Sequence, residues 1–274
     1  MSQHLPWLAV HQGDAPLLVS IPHTGITVPP PHAANLLSLD RARKDADWWI
    51  DRLYDFAGGL GATVVHTSIS RTVIDVNRDP SGASLYPGQA TTELCPTTTF
   101  DGEPLYQSGR EPDETEVAVR RAAYFQPYHA ALATEIERLR ANHDRIVVYD
   151  CHSIRSVVPR LFEGVLPQFS IGTNSGASCA DSLTGSVERL CDNTGLTWVT
   201  NGRFKGGYIT RRFGNPGAGV HAIQMELACR GYMQEPLGPV SDADWPTAYD
   251  PNFAAPMKAT LTRILEAALA FARQ

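Results

Sequence analysis

Short aliphatic runs, each ending on a residue suited to acid–base or metal chemistry, constrain this chain more than any other feature. Leu17-Leu18-Val19-Ser20-Ile21 is stopped by Pro22 and followed by His23. The β-branched run from Arg145 leads into Asp150-Cys151-His152-Ser153, and the run from Val220 to Leu227 carries Glu226 near its end. Such runs are too brief for buried helices and fall far short of the ~18 apolar residues of a membrane span. They read as buried strands, and strands that deliver polar side chains at one end are how open α/β sheets build active sites. A fourth segment, Ser70-Arg71-Thr72-Val73-Ile74-Asp75-Val76-Asn77-Arg78, adds arginines that can hold an anion.

Helical patterns separate the runs. Leu39–Phe56 reads as a helix capped by Asp40, with Trp49, Leu53 and Phe56 on one face and Gly58-Gly59 as its stop. Glu114–Asn142 reads as a long helical tract broken at Pro127, Ser182–Asn193 as another helix and Met257–Arg273 as a terminal one. Further strands are expected at Ala62–His66, Thr72–Val76 and Trp198–Thr200. Strands alternating with helices predict an α/β fold, a mixed and mostly parallel sheet covered on both faces. We expect a single domain over residues 1–274, with Asp79–Asp113, rich in Pro, Gly, Ser and Thr, as a lid or specificity loop.

The net charge of −6 and a pI near 5.8 argue against nucleic acid or an anionic membrane as a partner. Binding an acidic small molecule therefore requires local arginines, for which Arg71, Arg78, Arg211 and Arg212 are the candidates. Five widely spaced cysteines without a Cys-x-x-Cys pair form neither a disulfide framework nor a zinc ribbon. Met1–Pro16 lacks a basic-then-apolar signal segment, so a reducing cytoplasm is expected.

His23 and His152, at two strand ends, supply two of the three protein ligands that a hydrolytic metal site needs, and Asp150 can orient an imidazole. The third ligand would be a carboxylate near Asp45 and Asp47; a helical wheel puts Asp45 on the Trp49 face and Asp47 nearly opposite. First-turn acids that only complement a helix dipole are the alternative. Glu226 reads either as a general base or as a strand-end ion-pair partner. Asn77-Arg78 can hold a carboxylate and Arg71 can stabilise an oxyanion, against the alternative of an ion network with Asp75 or Asp79. His129 and His221 read as structural, and Cys151 points away from its neighbour His152.

Together the motifs resemble the N-formylglutamate amidohydrolases. They comprise Ser20-Ile21-Pro22-His23-Thr24-Gly25, Asp45-Ala46-Asp47-Trp48 with Asp51-Arg52-Leu53-Tyr54, Ser70-Arg71 through Asn77-Arg78, Asp150-Cys151-His152-Ser153, Phe204-Lys205-Gly206-Gly207-Tyr208-Ile209-Thr210-Arg211 and Gln224-Met225-Glu226-Leu227. The resemblance, from about Leu17 to Met233, implies a phosphorylase/hydrolase-like fold of the zinc exopeptidase kind. It also implies one divalent metal, zinc, and hydrolysis of N-formyl-L-glutamate to formate and L-glutamate, the alternatives being hydrolysis of another N-acyl amino acid or a short peptide, or non-catalytic binding of an acidic amino acid. On that resemblance His23, Asp47 and His152 are the metal ligands, Glu226 the base and Arg71 the oxyanion arginine. Asn77 and Arg78 bind the α-carboxylate, with Tyr208 and either Arg211 or Arg212 serving the rest of the substrate. The zinc carboxypeptidases, similar in fold, place an acid three residues after the first histidine, where this chain has Ile26; the resemblance to the cell-wall amidases, whose acid comes from a following segment, implies Asp47 instead.

Overall fold

A computed structural model describes residues 5–85, 87–236, 238, 240–241 and 244–274. The strands β1 (Leu8–His11), β2 (Leu17–Ile21), β3 (Thr63–Thr67), β4 (Ile146–Ile154), β5 (Phe169–Gly172), β6 (Trp198–Thr200) and β7 (Val220–Ala228) form one sheet in the order β1-β3-β2-β4-β7-β5-β6. The four consecutive strands β3, β2, β4 and β7 are parallel, while β1 against β3 and β5 against β7 are antiparallel. This is the mixed, mostly parallel α/β sheet that the alternating pattern predicts.

Residue parity divides the core. Leu17, Val19 and Ile21 of β2, Val147, Tyr149 and Cys151 of β4, and Ile223, Met225 and Leu227 of β7 pack on one face. There they meet Leu183 and Val187 of the Asp181–Asp192 helix and Leu261, Ile264 and Leu265 of the Pro251–Ala272 helix. Leu18, Ile146, Val148 and Ala222 pack on the other face, under Tyr128, Leu132, Ile136 and Leu139 of the Gln126–Arg140 helix. Successive strand residues alternate faces, so Asp150 and His152 continue the face of Val148, and Gln224 and Glu226 that of Ala222. Where the helix no longer covers this face, polar side chains replace apolar ones.

Three sequence expectations are corrected. Leu39–Phe56 is not one helix: Leu39–Arg43 is capped by Ser38, whose Oγ accepts from Arg41 N–H at 3.2 Å, and a new short helix runs from Ile50 to Leu53. Between them Asp47 N–H is bonded to His23 C=O at 3.0 Å and Trp49 has φ 66°, so the chain leaves helical geometry to dock on the end of β2. Thr72–Val76 is a buried turn rather than a strand, because Asp75 N–H bonds to Leu94 C=O and the Asp75 side chain turns inward to His23 and Arg71. The long helical tract has a π-helical turn at Arg121–Phe125 just before Pro127, which lacks the N–H of a continuous helix. β1 and β5, four residues each, and the Tyr208–Phe213 helix were not anticipated.

Within the 79–113 loop, Tyr86 lies outside the described residues. Its second half is pinned by Lys44 Nζ, 2.8 Å from Asp101 and 2.7 Å from Glu103, and by Arg155, 2.9 Å from Asp101. From its first half, Ala90 and Thr91 line the same cavity as His23, His152 and Glu226.

Candidate active site

The carboxyl ends of three adjacent parallel strands meet here. β2 delivers His23 after Pro22, β4 delivers Asp150 and His152, and β7 delivers Gln224 and Glu226, with His152 and Glu226 directly paired across the ladder. His23, Asp47 and His152 are 3%, 1% and 2% exposed, and one ligand atom from each lies within 4.8 Å of the others.

Each imidazole is gripped at Nε2. His23 Nε2 lies 2.7 Å from Asp75 Oδ1, and His152 Nε2 lies 2.9 Å from Asp150 Oδ2. A carboxylate at Nε2 fixes the ring and leaves Nδ1 as the ligating nitrogen, the usual arrangement around metal-bound histidine. Both Nδ1 atoms approach the same oxygen, Asp47 Oδ2, at 3.6 Å from His23 and 3.0 Å from His152. His23 Nδ1 is buried without a hydrogen-bond partner, a costly state for a polar atom unless something else meets it. Two nitrogens and one carboxylate oxygen suit zinc and leave a fourth position open. The residues present therefore fit a divalent ion.

The surrounding charge agrees. Burial opposes ionisation of Asp47, but His23 and His152 outweigh it and hold its carboxyl below the usual range. Burial would also lower His152, yet Asp150 and Asp47 raise its pKa well above that of an ordinary histidine. The pocket is thus built to stabilise positive charge between these groups. Arg71 is stacked at 4.8 Å over the Phe100 ring and bridges Asp47, at 3.3 Å, and Asp75, at 2.6 Å.

Glu226 is 7% exposed, and its pKa is pushed up to about 7, chiefly by burial, with Asp47 and Asp150 adding to the shift against His152 and Arg71. Gln224 Nε2 donates to Glu226 Oε2 at 3.1 Å while Gln224 Oε1 accepts from Gly207 N–H at 2.7 Å, so the carboxyl is held on one side. A carboxyl titrating near neutrality can both take and return a proton.

Asp45 and Asp47 have separate surroundings. Asp45 accepts from Phe100 N–H at 2.6 Å and faces Arg155, with burial raising its pKa to about 6. Only Asp47 reaches the histidines; the helical wheel that favoured Asp45 fails because the intervening segment is not helical. Ser153 N–H donates to Asp47 Oδ2 at 3.1 Å, and Tyr232 Oη, 2.8 Å from both, donates to Trp48 C=O and accepts from the Ser153 hydroxyl, tying this turn to β4.

Asn77 is a buried joint. Its Oδ1 accepts from Ile209 N–H at 2.8 Å and its Nδ2 lies 3.2 Å from Asp150. A Cβ on Gly207 would lie 2.3 Å from that amide, so the Gly206-Gly207 pair lets the Tyr208–Phe213 helix approach. One cavity is lined by His23, Arg71, Asn77, Arg78, His152 and Glu226 together with Ala90, Thr91, Phe100, Ile154, Leu161, Arg203, Phe204, Gly207 and Gln224. Tyr208, Arg211 and Arg212 are not among its lining residues. Tyr208 packs on Phe125 and His129, Arg211 Nε donates to Gly206 C=O at 2.9 Å, and the exposed Arg212 lies over Phe213. Phe100, Arg203 and Gln224 join the site without having been anticipated; Gln224 had a signal, standing two residues before Glu226 on the same strand face. Cys151 points into the opposite core, where burial raises its thiol pKa well above the usual value.

A strand-end cluster of histidines and carboxyls on a twisted, mostly parallel sheet defines the chain as an α/β enzyme of the hydrolase class. More narrowly, it belongs to the N-formylglutamate amidohydrolase family, whose model matches residues 15–233. It is 44% identical to a Pseudomonas aeruginosa protein named N-formylglutamate deformylase, over 97% of both chains, and 43% identical to one from Pseudomonas putida, over 96% of both. In fold it is similar to the crystal structure of N-formylglutamate amidohydrolase from Ralstonia eutropha JMP134, with a TM-score of 0.78 at 23% identity over 98% of this chain and 99% of that one. A gene product of Agrobacterium tumefaciens has a TM-score of 0.72 at 19% identity over 98% and 96% of the chains.

Proposed function

We propose that the protein hydrolyses N-formyl-L-glutamate to formate and L-glutamate, with one divalent ion, zinc, held by His23, Asp47 and His152. The observation that carries this reading is the convergence of two carboxylate-anchored imidazoles on one oxygen of Asp47, beside a buried carboxyl with a pKa of about 7. The substrate comes from the deformylase relatives. A divalent ion at these ligands supplies Lewis acidity, polarising the formyl carbonyl and lowering the pKa of water.

The chain's own residues do the remainder. Glu226 removes a proton from the attacking water and returns it to the departing amine nitrogen. Arg71 balances the negative charge that develops on the formyl oxygen, and its bonds to Asp47 and Asp75 hold its guanidinium plane for that purpose. Asp75 and Asp150 fix the two imidazoles. Arg78 takes the α-carboxylate and Asn77, bonded to Ile209, fixes the turn that presents it.

Among the described residues no helix is long and apolar enough to cross a membrane. All five cysteines are free and buried, which suits a reducing cytoplasm. The test is release of formate from N-formyl-L-glutamate by the zinc-loaded protein, beside release of acetate from N-acetyl-L-glutamate. Formate with little or no acetate supports the reading; no formate, or equal turnover of both, refutes it.

A further inference from the structure

The proposed substrate carries two carboxylates, and the chemistry above uses only one cationic side chain to bind them. Three arginines line the cavity: Arg71, Arg78 and Arg203. Arg71 is balanced by Asp47 and Asp75 at the bottom of the site. Arg78 and Arg203 are the other two guanidiniums on the cavity lining. Arg78 lies on the reacting side, with its Nε 3.8 Å from Asp75, the residue that holds His23. Arg203 lies on the wall formed by Leu161 and Phe204: its Nε donates to Leu161 C=O at 2.8 Å, its Nη2 to Ala90 C=O at 2.7 Å, and it stacks 5.3 Å from the Phe204 ring.

From this geometry we infer that Arg203 binds the side-chain carboxylate of the substrate and sets its specificity for an acidic amino acid. The inference rests on the deformylase reading and extends it. In an N-formyl amino acid the α-carboxylate is attached to the same carbon as the formamide nitrogen, so it belongs to the arginine next to the histidines. The γ-carboxylate of glutamate lies two methylenes further out and needs a cation on a more distant wall, beyond apolar surface such as Ile154 and Leu161 supply. A guanidinium anchored through both Nε and Nη2 is oriented before substrate arrives, so less rotamer entropy is lost on binding. Both arginines also tie down one stretch of the long loop. Arg78 donates to Thr92 C=O at 3.1 Å and to Thr92 Oγ1 at 3.0 Å, while Arg203 holds Ala90. Ala90 and Thr91 of that stretch line the cavity, so the two arginines that would read the anions also hold this part of the loop.

The test measures kcat/KM for N-formyl-L-glutamate and for N-formyl-L-glutamine in wild type, Arg203→Met and Arg203→Lys. The ratio of the two values cancels any difference in the fraction of folded, active enzyme. Wild type should favour formylglutamate. Arg203→Met should cut that preference about 10- to 100-fold, the scale of a lost charge-assisted hydrogen bond, and Arg203→Lys should restore part of it. A wild-type ratio retained in Arg203→Met overturns the inference, as does collapse of the ratio in Arg211→Ala while Arg203→Met keeps it. If wild type releases formate from neither compound, the deformylase reading itself has failed and this inference falls with it.

Discussion

Replacing Glu226 by Gln should separate catalysis from stability. The Gln side chain keeps the shape and can still accept from Gln224 Nε2, so the site should remain assembled. Metal content should be unchanged while kcat falls by roughly 10²–10⁴, the usual contribution of a general acid–base. The same change should stabilise the metal-free protein, and the pH dependence fixes by how much. Glu226 has a pKa of about 7 in the folded chain, raised chiefly by burial, against about 4.3 unfolded. A carboxyl raised in this way favours folding when protonated. Wild-type stability therefore falls as pH rises from about 4.3 through about 7 and then levels off. The advantage of Glu226→Gln over wild type should grow by on the order of 2 kcal/mol between pH 5 and pH 8. Urea denaturation of the chelated proteins at the two pH values, with formate release from the zinc-loaded ones, measures both effects. Parallel stability profiles for the two proteins would show that Glu226 is not a buried, raised carboxyl. A near-normal kcat would remove it from the acid–base role.

Other variants probe the neighbouring groups. Alanine at His23, at His152 or at Asp47 should remove bound zinc and activity together, whereas Asp45→Ala should keep zinc and instead loosen the loop at Phe100; metal analysis and limited proteolysis distinguish the two. His129, whose pKa burial lowers to about 4, should make wild type lose on the order of 2 kcal/mol as pH falls from 7 to 5, because the unfolded histidine protonates near 6.5 and the buried one does not. In His129→Gln, which can still donate to Val76 C=O, that acid-side loss should disappear; an unchanged slope in urea melts would refute the assignment. Gly207→Ala would push a methyl into the Asn77 amide and should lower kcat at least tenfold, with CD spectra still showing a folded chain.

Residues on regular strands were the legible ones. In Val147-Val148-Tyr149-Asp150-Cys151-His152, the two-residue period puts Asp150 and His152 on one face and Cys151 in the core, and the same period pairs Gln224 with Glu226. Asp47 could not be read this way. Its position depends on a turn that breaks the helical pattern when its N–H is taken by His23 C=O, a partner 24 positions away. Thr72–Val76 misled for a related reason, since its β-branched propensity is overridden by Asp75 and Arg71 turning inward to the histidine. Arg203 stands in a loop without periodicity, and only the folded chain brings it into the cavity that Arg78 lines, whereas Arg211 and Arg212 look equally basic in sequence and are not among its lining residues. β1, half-exposed at the sheet edge, and β5, four residues long, offer too little apolar pattern to be seen.

One divalent ion at His23, Asp47 and His152 should be required for deformylation. The most direct measurement strips the purified protein with a chelator, follows formate release from N-formyl-L-glutamate, and then titrates zinc back. Stripping should abolish activity, and added zinc should restore it linearly to saturation at one zinc per chain in wild type, with no recovery in His152→Ala. Full activity in protein shown to be metal-free, or recovery in His152→Ala at the wild-type stoichiometry, would contradict it.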